Sequence, residues 1–284
     1  MTAKVVFTKE DLFEAAKLGQ VARVNAALNW VGDDGTKLDA TADENRAVRM
    51  AACFGHLTVV QDLLAWNKIP GKWVNPTAEN NAAVRYAAEN GHTAVVRALL
   101  DWKEIDGIRV DPTAFNNEAV KIAARFGYTE VVKALLAWKE IDGVRVDPTV
   151  EKNWAVRHAA CFGHLTVVQD LLNWVGLQGQ RVDPTAEENW AVRHAAKNGH
   201  TEVVRALLDW KEIDGIRVDP TAEENWAVRW AAKNGHTEVV RALLDWKEID
   251  GIRVDPTAEE NWAVRWAAKN GHTEVVRALL DWKE

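Results

Sequence analysis

Residues 219–254 contain two segments in which apolar residues recur at helical spacing, with a glycine between them. The first segment has its apolar face at Ala227, Val228, Ala231 and Ala232, and the second at Val239, Val240, Leu243 and Leu244. Since this spacing places the apolar residues on one side of a helix, it predicts two amphipathic helices. Gly235 supplies the left-handed residue at which we expect the first helix to end.

The residues on either side of these segments predict how the first helix begins and how the chain continues after the second helix. Thr221 and Glu224 stand three residues apart behind Pro220, which predicts a capping box at the start of the first helix. After the second segment, Asp250 and Gly251 lie between two isoleucines, a pattern typical of a tight β-hairpin turn. The stretch therefore predicts a helix, a turn, a second helix and a hairpin.

The same stretch recurs along the whole chain. Residues 255–284 repeat residues 219–248 without a difference, and residues 183–218 differ only in having His194 where the next copy has Trp230. The opening Asp or Asn recurs every 36 residues from Asp39 to Asp255. Such a period predicts one solenoid of stacked repeats. Its eight repeats are 1–38, 39–74, 75–110, 111–146, 147–182, 183–218, 219–254 and 255–284.

The two terminal repeats differ from the others in what they offer a neighbour. Residues 1–38 form an atypical repeat with a charged outer face, which favours an N-terminal cap. The last repeat is shorter and has the sequence of an internal one, so we expect Val275 and Leu279 to face solvent or another molecule. The near identity of the last three repeats indicates recent duplication or deliberate consensus construction.

The residues from 231 to 244, Ala-Ala-Lys-Asn-Gly-His-Thr-Glu-Val-Val-Arg-Ala-Leu-Leu, resemble an ankyrin repeat, with its small alanines, Gly-His turn and Val-Val/Leu-Leu second helix. This resemblance implies an all-α, ankyrin-type repeat solenoid with short β-hairpin fingers and a concave groove lined by the first helices. The period of 36 and the Trp-Ala-Val-Arg segment at 226–229 depart from the common 33-residue form. They look most like the long-finger variety found in amoebae and their large viruses.

Charge and composition disfavour several kinds of partner. The formal net charge is −7, and acidic and basic residues are interleaved within each repeat. Because no basic stripe is present, we expect neither nucleic acid nor an anionic membrane surface as a partner. The sequence contains no signal-peptide or transmembrane run, and its two cysteines, Cys53 and Cys161, are few. These features favour a reducing, cytoplasmic location.

Two periodic arrays each allow a structural and a functional interpretation. A histidine follows the helix-ending glycine in six repeats, which could suggest metal ligands, but Tyr128 takes that place in repeat 4. The family resemblance implies instead that this histidine binds backbone and bridges neighbouring turns. A tryptophan recurs every 36 residues from Trp30 to Trp282, and we interpret it as a packing residue whose indole N–H finds a partner. We expect Asn225 and Arg229 to tie each first helix to the preceding loop.

The candidate binding residues are those that vary on the first helices. The positions of Glu223, Trp226, Trp230 and Lys233 fall on one side of a helix, opposite the Val/Ala face. Variation on one face of a constant frame favours recognition of a partner, although the position of Trp230 also fits packing between helices. The predicted groove residues are Trp154, His158, Trp190, His194, Trp226, Trp230, Trp262 and Trp266.

The predicted function is binding. The sequence contains no phosphate loop, no HExxH motif, no nucleophile elbow and no serine, so it indicates no enzyme, no cofactor and no metal site. The first hypothesis is a non-catalytic scaffold that recognises a protein or peptide through the concave groove and the hairpin fingers. The alternative is a structural protein that stacks head to tail into homo-oligomers or filaments through its C-terminal face.

Overall fold

The computed structural model describes residues 6–103, 105–138, 143–210, 217–246 and 253–282. These residues are helical and fall into two compact units. The N-terminal unit comprises residues 1–123 and 130–146, and the C-terminal unit comprises residues 124–129 and 147–284. The described residues show an all-α repeat architecture. That the eight repeats form one solenoid stays a prediction.

Sixteen helices are described, two in each of the eight repeats. The first helices are α1 (Lys9–Lys17), α3 (Ala42–Cys53), α5 (Ala78–Glu89), α7 (Ala114–Phe126), α9 (Val150–Cys161), α11 (Ala186–Lys197), α13 (Ala222–Lys233) and α15 (Ala258–Lys269). The second helices are α2 (Val21–Leu28), α4 (Leu57–Leu64), α6 (Thr93–Leu100), α8 (Thr129–Leu136), α10 (Leu165–Leu172), α12 (Thr201–Leu208), α14 (Thr237–Leu244) and α16 (Thr273–Leu280).

The internal repeats bury most of each predicted apolar face, whereas in the last repeat Val264 and Val276 are half-buried and Ala268 and Leu280 are exposed. In α13 and α14 the alanines and valines of the two predicted faces are fully buried, as is Leu243. Within the C-terminal unit, α9, α11, α13 and α15 pack side by side, and α10, α12, α14 and α16 form a second row. The N-terminal unit repeats this arrangement with α1, α3 and α5 beside α2, α4 and α6. In each unit the core is therefore a band of small and branched side chains between two rows of helices.

The start of the first helix differs from the predicted capping box. The Thr221 side chain makes no capping bond to the helix; its hydroxyl and its N–H both donate to Asp219 Oδ1, at 2.7 and 2.8 Å. Residues 223–225 then take left-handed backbone angles before the right-handed helix begins at Trp226. Because Glu224 lies in this turn, it cannot reach back to cap the helix, and the prediction was wrong. Among the described residues a capping box joins Thr8 and Asp11.

Polar side chains hold this left-handed turn in place. Asn225 Oδ1 accepts the N–H of Asp255 at 2.8 Å, and an Arg229 Nη donates to the carbonyl oxygen of Glu223 at 3.0 Å. The arginine ties the helix to its own first turn, close to the predicted role. Asn225, however, binds the opening residue of the following repeat rather than a preceding loop.

The Gly-His step joins a repeat to the one before it wherever the histidine is present. Gly235 has a φ of 79° and ends α13, as predicted. The ring of His236 lies against Gly199, and its Nε2 lies 3.0 Å from the carbonyl oxygen of Lys197 in the preceding repeat. The other described histidines of this array make the same contact with a carbonyl 39 residues earlier. The histidine array is therefore structural.

The predicted β-hairpin fingers are not shown. In repeat 3, Asp106 and Gly107 both have positive φ, and Ile105 and Ile108 exchange two backbone hydrogen bonds. This is the expected two-residue turn, but the described residues there contain an isolated bridge and no strand. The predicted turn at Ile249 to Ile252 lies outside the described residues. Hairpin fingers with more than one bridge between their two arms stay a prediction.

The recurring tryptophan packs less uniformly than its periodicity predicts. Trp66 and Trp174 are buried, whereas the other six, from Trp30 to Trp282, are half-buried. At Trp66 the indole nitrogen is buried without a hydrogen-bond partner in the described part of the chain, so the predicted partner for the N–H is missing.

The expectation that Val275 and Leu279 face solvent was wrong. Val275 is 1% exposed and Leu279 is 7% exposed, because α16 packs against α15 of its own repeat and α14 of the preceding one. Leu280 is the apolar residue of α16 that faces outward, with 71% of its surface exposed. Within the described ranges, no helix combines the length and apolar character needed to cross a membrane.

Candidate functional site

The eight predicted groove residues lie on four neighbouring helices of the C-terminal unit. Helices α9, α11, α13 and α15 each contribute two rings, one helical turn apart, and all eight side chains are half-buried. We call this set the aromatic strip; it consists of Trp154, His158, Trp190, His194, Trp226, Trp230, Trp262 and Trp266. The structure therefore brings every predicted groove residue into one continuous surface.

Each ring of the aromatic strip contacts the next one; the contacts are stacked from Trp154 to His194 and tilted from His194 to Trp266. Within a helix, the indole lies against the ring four residues later, at 3.6 Å between the centroids of Trp154 and His158 and 5.5 Å between those of Trp262 and Trp266. Between helices, His158 lies 5.3 Å from Trp190, and Trp230 lies 5.8 Å from Trp262. Each such aromatic pair adds about 0.5–1.5 kcal/mol beyond the burial of its area.

The two histidines in the strip are neutral side chains held by their own helices. The Nδ1 atoms of His158 and His194 lie 3.0 and 3.1 Å from the carbonyl oxygens of Trp154 and Trp190. A donating Nδ1–H leaves Nε2 as the acceptor of the neutral ring. Burial, and to a smaller extent the positive charges of Arg193 and Lys197, lowers the pKa of His194 to about 4.

Cationic side chains lie over the rings. The Lys233 ammonium is 4.2 Å from the ring centre of Trp230 and 4.9 Å from that of Trp266, and Lys269 lies 4.3 Å from that of Trp266. The guanidinium of Arg229 lies 5.7 Å from the ring centre of Trp262. These distances are within the range of cation–π attraction.

The indole N–H groups of the strip do not bind the protein. None of the six tryptophans donates a side-chain hydrogen bond to a described residue, and none of their nitrogens is among the buried unpaired atoms. Their N–H groups consequently face water. A half-buried indole with a free donor is the usual form of an aromatic anchor at an interface.

The N-terminal unit carries different side chains at the same positions. Ala82 is buried, and Glu118 pairs with Arg85, whose guanidinium also lies 4.3 Å from the ring centre of Phe115. Arg46 lies over Phe13 at 5.1 Å. The described part of this unit therefore has isolated cation–π contacts where the C-terminal unit has the stacked strip.

Part of this site could be predicted from sequence and part could not. The spacing of four between Trp154 and His158 placed both rings on one side of a helix. Glu223 does not extend that side, because it lies in the left-handed turn. The position of Arg229 over Trp262 was not foreseen, because the two residues belong to different repeats and spacing within one helix does not relate them.

Comparison with known proteins identifies the family. A family model for ankyrin repeats, in three copies, matches residues 48–149, 156–258 and 192–284, which together cover more than half of the chain. A search of curated proteins found no match. With the Gly-His bridges and the paired helices of each repeat, the match shows that this chain belongs to the ankyrin repeat family.

Proposed function

We propose that this chain is a non-catalytic scaffold that holds a segment of a partner protein against the aromatic strip. Ankyrin repeats generally mediate interactions between proteins, which supports the class of function. The observation that carries the proposal is the line of eight half-buried rings with six indole N–H groups open to water. Large aromatic side chains grouped on a surface are the usual anchors of protein interfaces.

A selection from a random peptide library tests this proposal, with the full chain as bait and a Trp190→Ala/Trp226→Ala variant beside it. We expect the chain to enrich peptides that the variant binds at least about tenfold more weakly, because truncating an interface anchor costs more than about 1.4 kcal/mol. Each substitution should lower the free energy of unfolding by about 1–2 kcal/mol, less than a core tryptophan, since both rings are half-buried.

Trp66→Ala is the matched control. Trp66 is 3% exposed and lies in the N-terminal unit, so its loss should cost about 3–5 kcal/mol of stability and leave peptide binding intact. Chemical denaturation and fluorescence anisotropy measure the two effects. Equal binding by the chain and by the double variant would contradict the proposal.

Head-to-tail assembly is the second candidate function. It is favoured by Leu280, which is 71% exposed where the equivalent Leu244 of repeat 7 is half-buried. If this face joins copies of the chain, the mass measured by light scattering should rise with concentration and fall back in a Leu280→Glu variant. A monomer at high concentration would exclude the assembly and leave the scaffold.

A further inference from the structure

Three lysines beside the aromatic strip form no ion pair with a carboxylate in the described part of the chain. Lys197, Lys233 and Lys269 end helices α11, α13 and α15, and their ammonium groups lie 4.2–5.9 Å from strip ring centres. None of the three forms an ion pair with a described residue. We call them the lysine row.

Basic residues on the second helices are arranged differently. Arg241 pairs with Glu238 at 3.0 Å, and Arg277 pairs with Glu274 at 2.8 Å. Arg205 lies 3.9 Å from Glu202 in the same relation. These repeats thus pair the arginines of their second helices with glutamates and leave the lysine row without an ion pair among the described residues.

The strip offers more hydrogen-bond donors than acceptors, since its six indole N–H groups outnumber the two Nε2 acceptors of His158 and His194. Six indole N–H groups face water, and the edge of an aromatic ring carries partial positive charge. The positive charges of Arg193 and Lys197 both disfavour the protonation of His194. The surface therefore combines apolar area, hydrogen-bond donors and positive charge.

From this complementarity we infer that the partner segment is acidic: a peptide whose carboxylates meet the lysine row and the indole N–H groups while its apolar side chains cover the rings. The inference rests on the proposed function and names the class of partner. Carboxylates near unpaired ammonium groups gain Coulomb energy and speed association at low salt.

The same surface disfavours nucleic acid, the other common polyanion. Two exposed glutamates lie in the left-handed turn that precedes each of Trp190, Trp226 and Trp262. The chain also carries a net charge of −7. A nucleic acid, with a phosphate on every nucleotide, would meet these glutamates as well as the lysine row. An acidic peptide can instead place its carboxylates beside the lysine row and keep them away from these glutamates.

The test is the same library selection, run on the full chain and on a Lys197→Glu/Lys233→Glu/Lys269→Glu variant. We expect peptides enriched by the chain to carry net negative charge and to bind the variant at least about tenfold more weakly at low salt, with a smaller difference at high salt. A Lys→Gln version of the three changes should fall between the two. Thermal melts confirm that all variants are folded.

The matched control reverses three cations in the same repeats, with Arg205→Glu/Arg241→Glu/Arg277→Glu, and alters net charge equally. It should retain the acidic peptides, because these arginines lie on the second helices. Equal losses in the two variants would show a general effect of charge and overturn the inference.

The remaining outcomes separate the inference from the proposed function. Enrichment of neutral or basic peptides that still require Trp190 and Trp226 would overturn the inference and leave the scaffold standing. Enrichment of no peptide at all would overturn both. Oligouridylate binding more tightly than the selected peptides would assign the strip to nucleic acid instead.

Discussion

Asn225 and its equivalents perform two tasks with one side chain. Each lies at a φ close to 60°, a region that asparagine enters more readily than most residues. In the repeats where the contact is described, its Oδ1 accepts the opening N–H of the next repeat, at 2.7–2.9 Å. The side chain thus stabilises a costly backbone turn and links neighbouring repeats.

The sequence offers a matched pair for measuring this link. Asn225→Ala removes the acceptor of the Asp255 N–H and places alanine at positive φ, so we expect the free energy of unfolding to fall by about 2–4 kcal/mol. Asn261 has the same backbone angles, but its side chain bonds to no described residue. Asn261→Ala should therefore cost only the backbone term, about 1–2 kcal/mol.

Chemical denaturation of the two variants gives the difference. That difference is the contribution of the hydrogen bond between repeats. Equal losses would mean that the Asn225 bond contributes nothing measurable.

His194 makes the stability depend on pH. Its pKa is about 4 in the folded chain and about 6.5 when unfolded, so the unfolded state takes up the proton first as the pH falls. The corresponding stabilisation is complete above pH 6.5 and is lost as the pH falls toward 4. After allowance for solvent screening of a half-buried group, we expect a loss of about 1–3 kcal/mol.

The His194→Trp variant provides the comparison, because it converts repeat 6 into a copy of repeat 7. Between pH 7 and pH 4 it should lose less stability than the unmodified chain, measured by denaturation at each pH. Parallel losses in the two proteins would mean that His194 is protonated in the folded state at its ordinary pKa.

At the scale of the element, the turn between the two helices is a packing contact as well as a chain reversal. Gly199 has a φ of 80°, and a Cβ placed on it would lie 2.7 Å from Nδ1 of His236. The ring cannot move away cheaply, because its Nε2 also lies 3.0 Å from the carbonyl oxygen of Lys197. Position 199 therefore requires glycine for two reasons: its φ is positive, and a Cβ would clash with the ring of His236.

A comparison of Gly199 with Gly271 separates the cost of the backbone angle from the cost of the contact with histidine. Gly271 has a φ of 77°, and a Cβ there would meet nothing within 4 Å. Gly271→Ala should cost about 1 kcal/mol for the backbone alone, whereas Gly199→Ala should cost about 2–4 kcal/mol because it also displaces the ring. Thermal or chemical unfolding of both variants measures the difference, and equal costs would show that the histidine adjusts freely.

At the scale of the whole molecule, stability should follow the regularity of the repeats. In repeat proteins each repeat contacts its neighbours, so matched interfaces contribute most. Repeats 6 and 7 differ at one position only. In repeat 4, by contrast, Phe115 is exposed, and Tyr128 stands where other repeats have histidine. The division between the two compact units also falls within repeat 4.

We therefore expect the amides of α7 and α8 to exchange with solvent faster than those of α13 and α14. Hydrogen exchange followed by mass spectrometry measures this for each helix separately. Slower exchange in α7 and α8 would show that the interfaces of the last repeats are not the strongest ones.

The repeat, the two helices of each copy and the Gly-His turn could be predicted from the sequence alone. These features depend on neighbours along the chain: a period of 36 residues, apolar residues three and four apart, and a glycine where φ must be positive. The positions that form the aromatic strip were also predictable, because the spacing within one helix sets which residues share its exposed side.

The way the repeats begin, and the side chains that meet between them, depend on how successive repeats pack. Thr221 and Glu224 have the spacing of a capping box, yet residues 223–225 form a left-handed turn whose cost is offset by the bond from Asp255, thirty residues later. The burial of Val275 and the stacking of His158 on Trp190 depend in the same way on neighbouring helices. Local spacing does not encode these contacts, because they join residues that only the packing of successive repeats brings together.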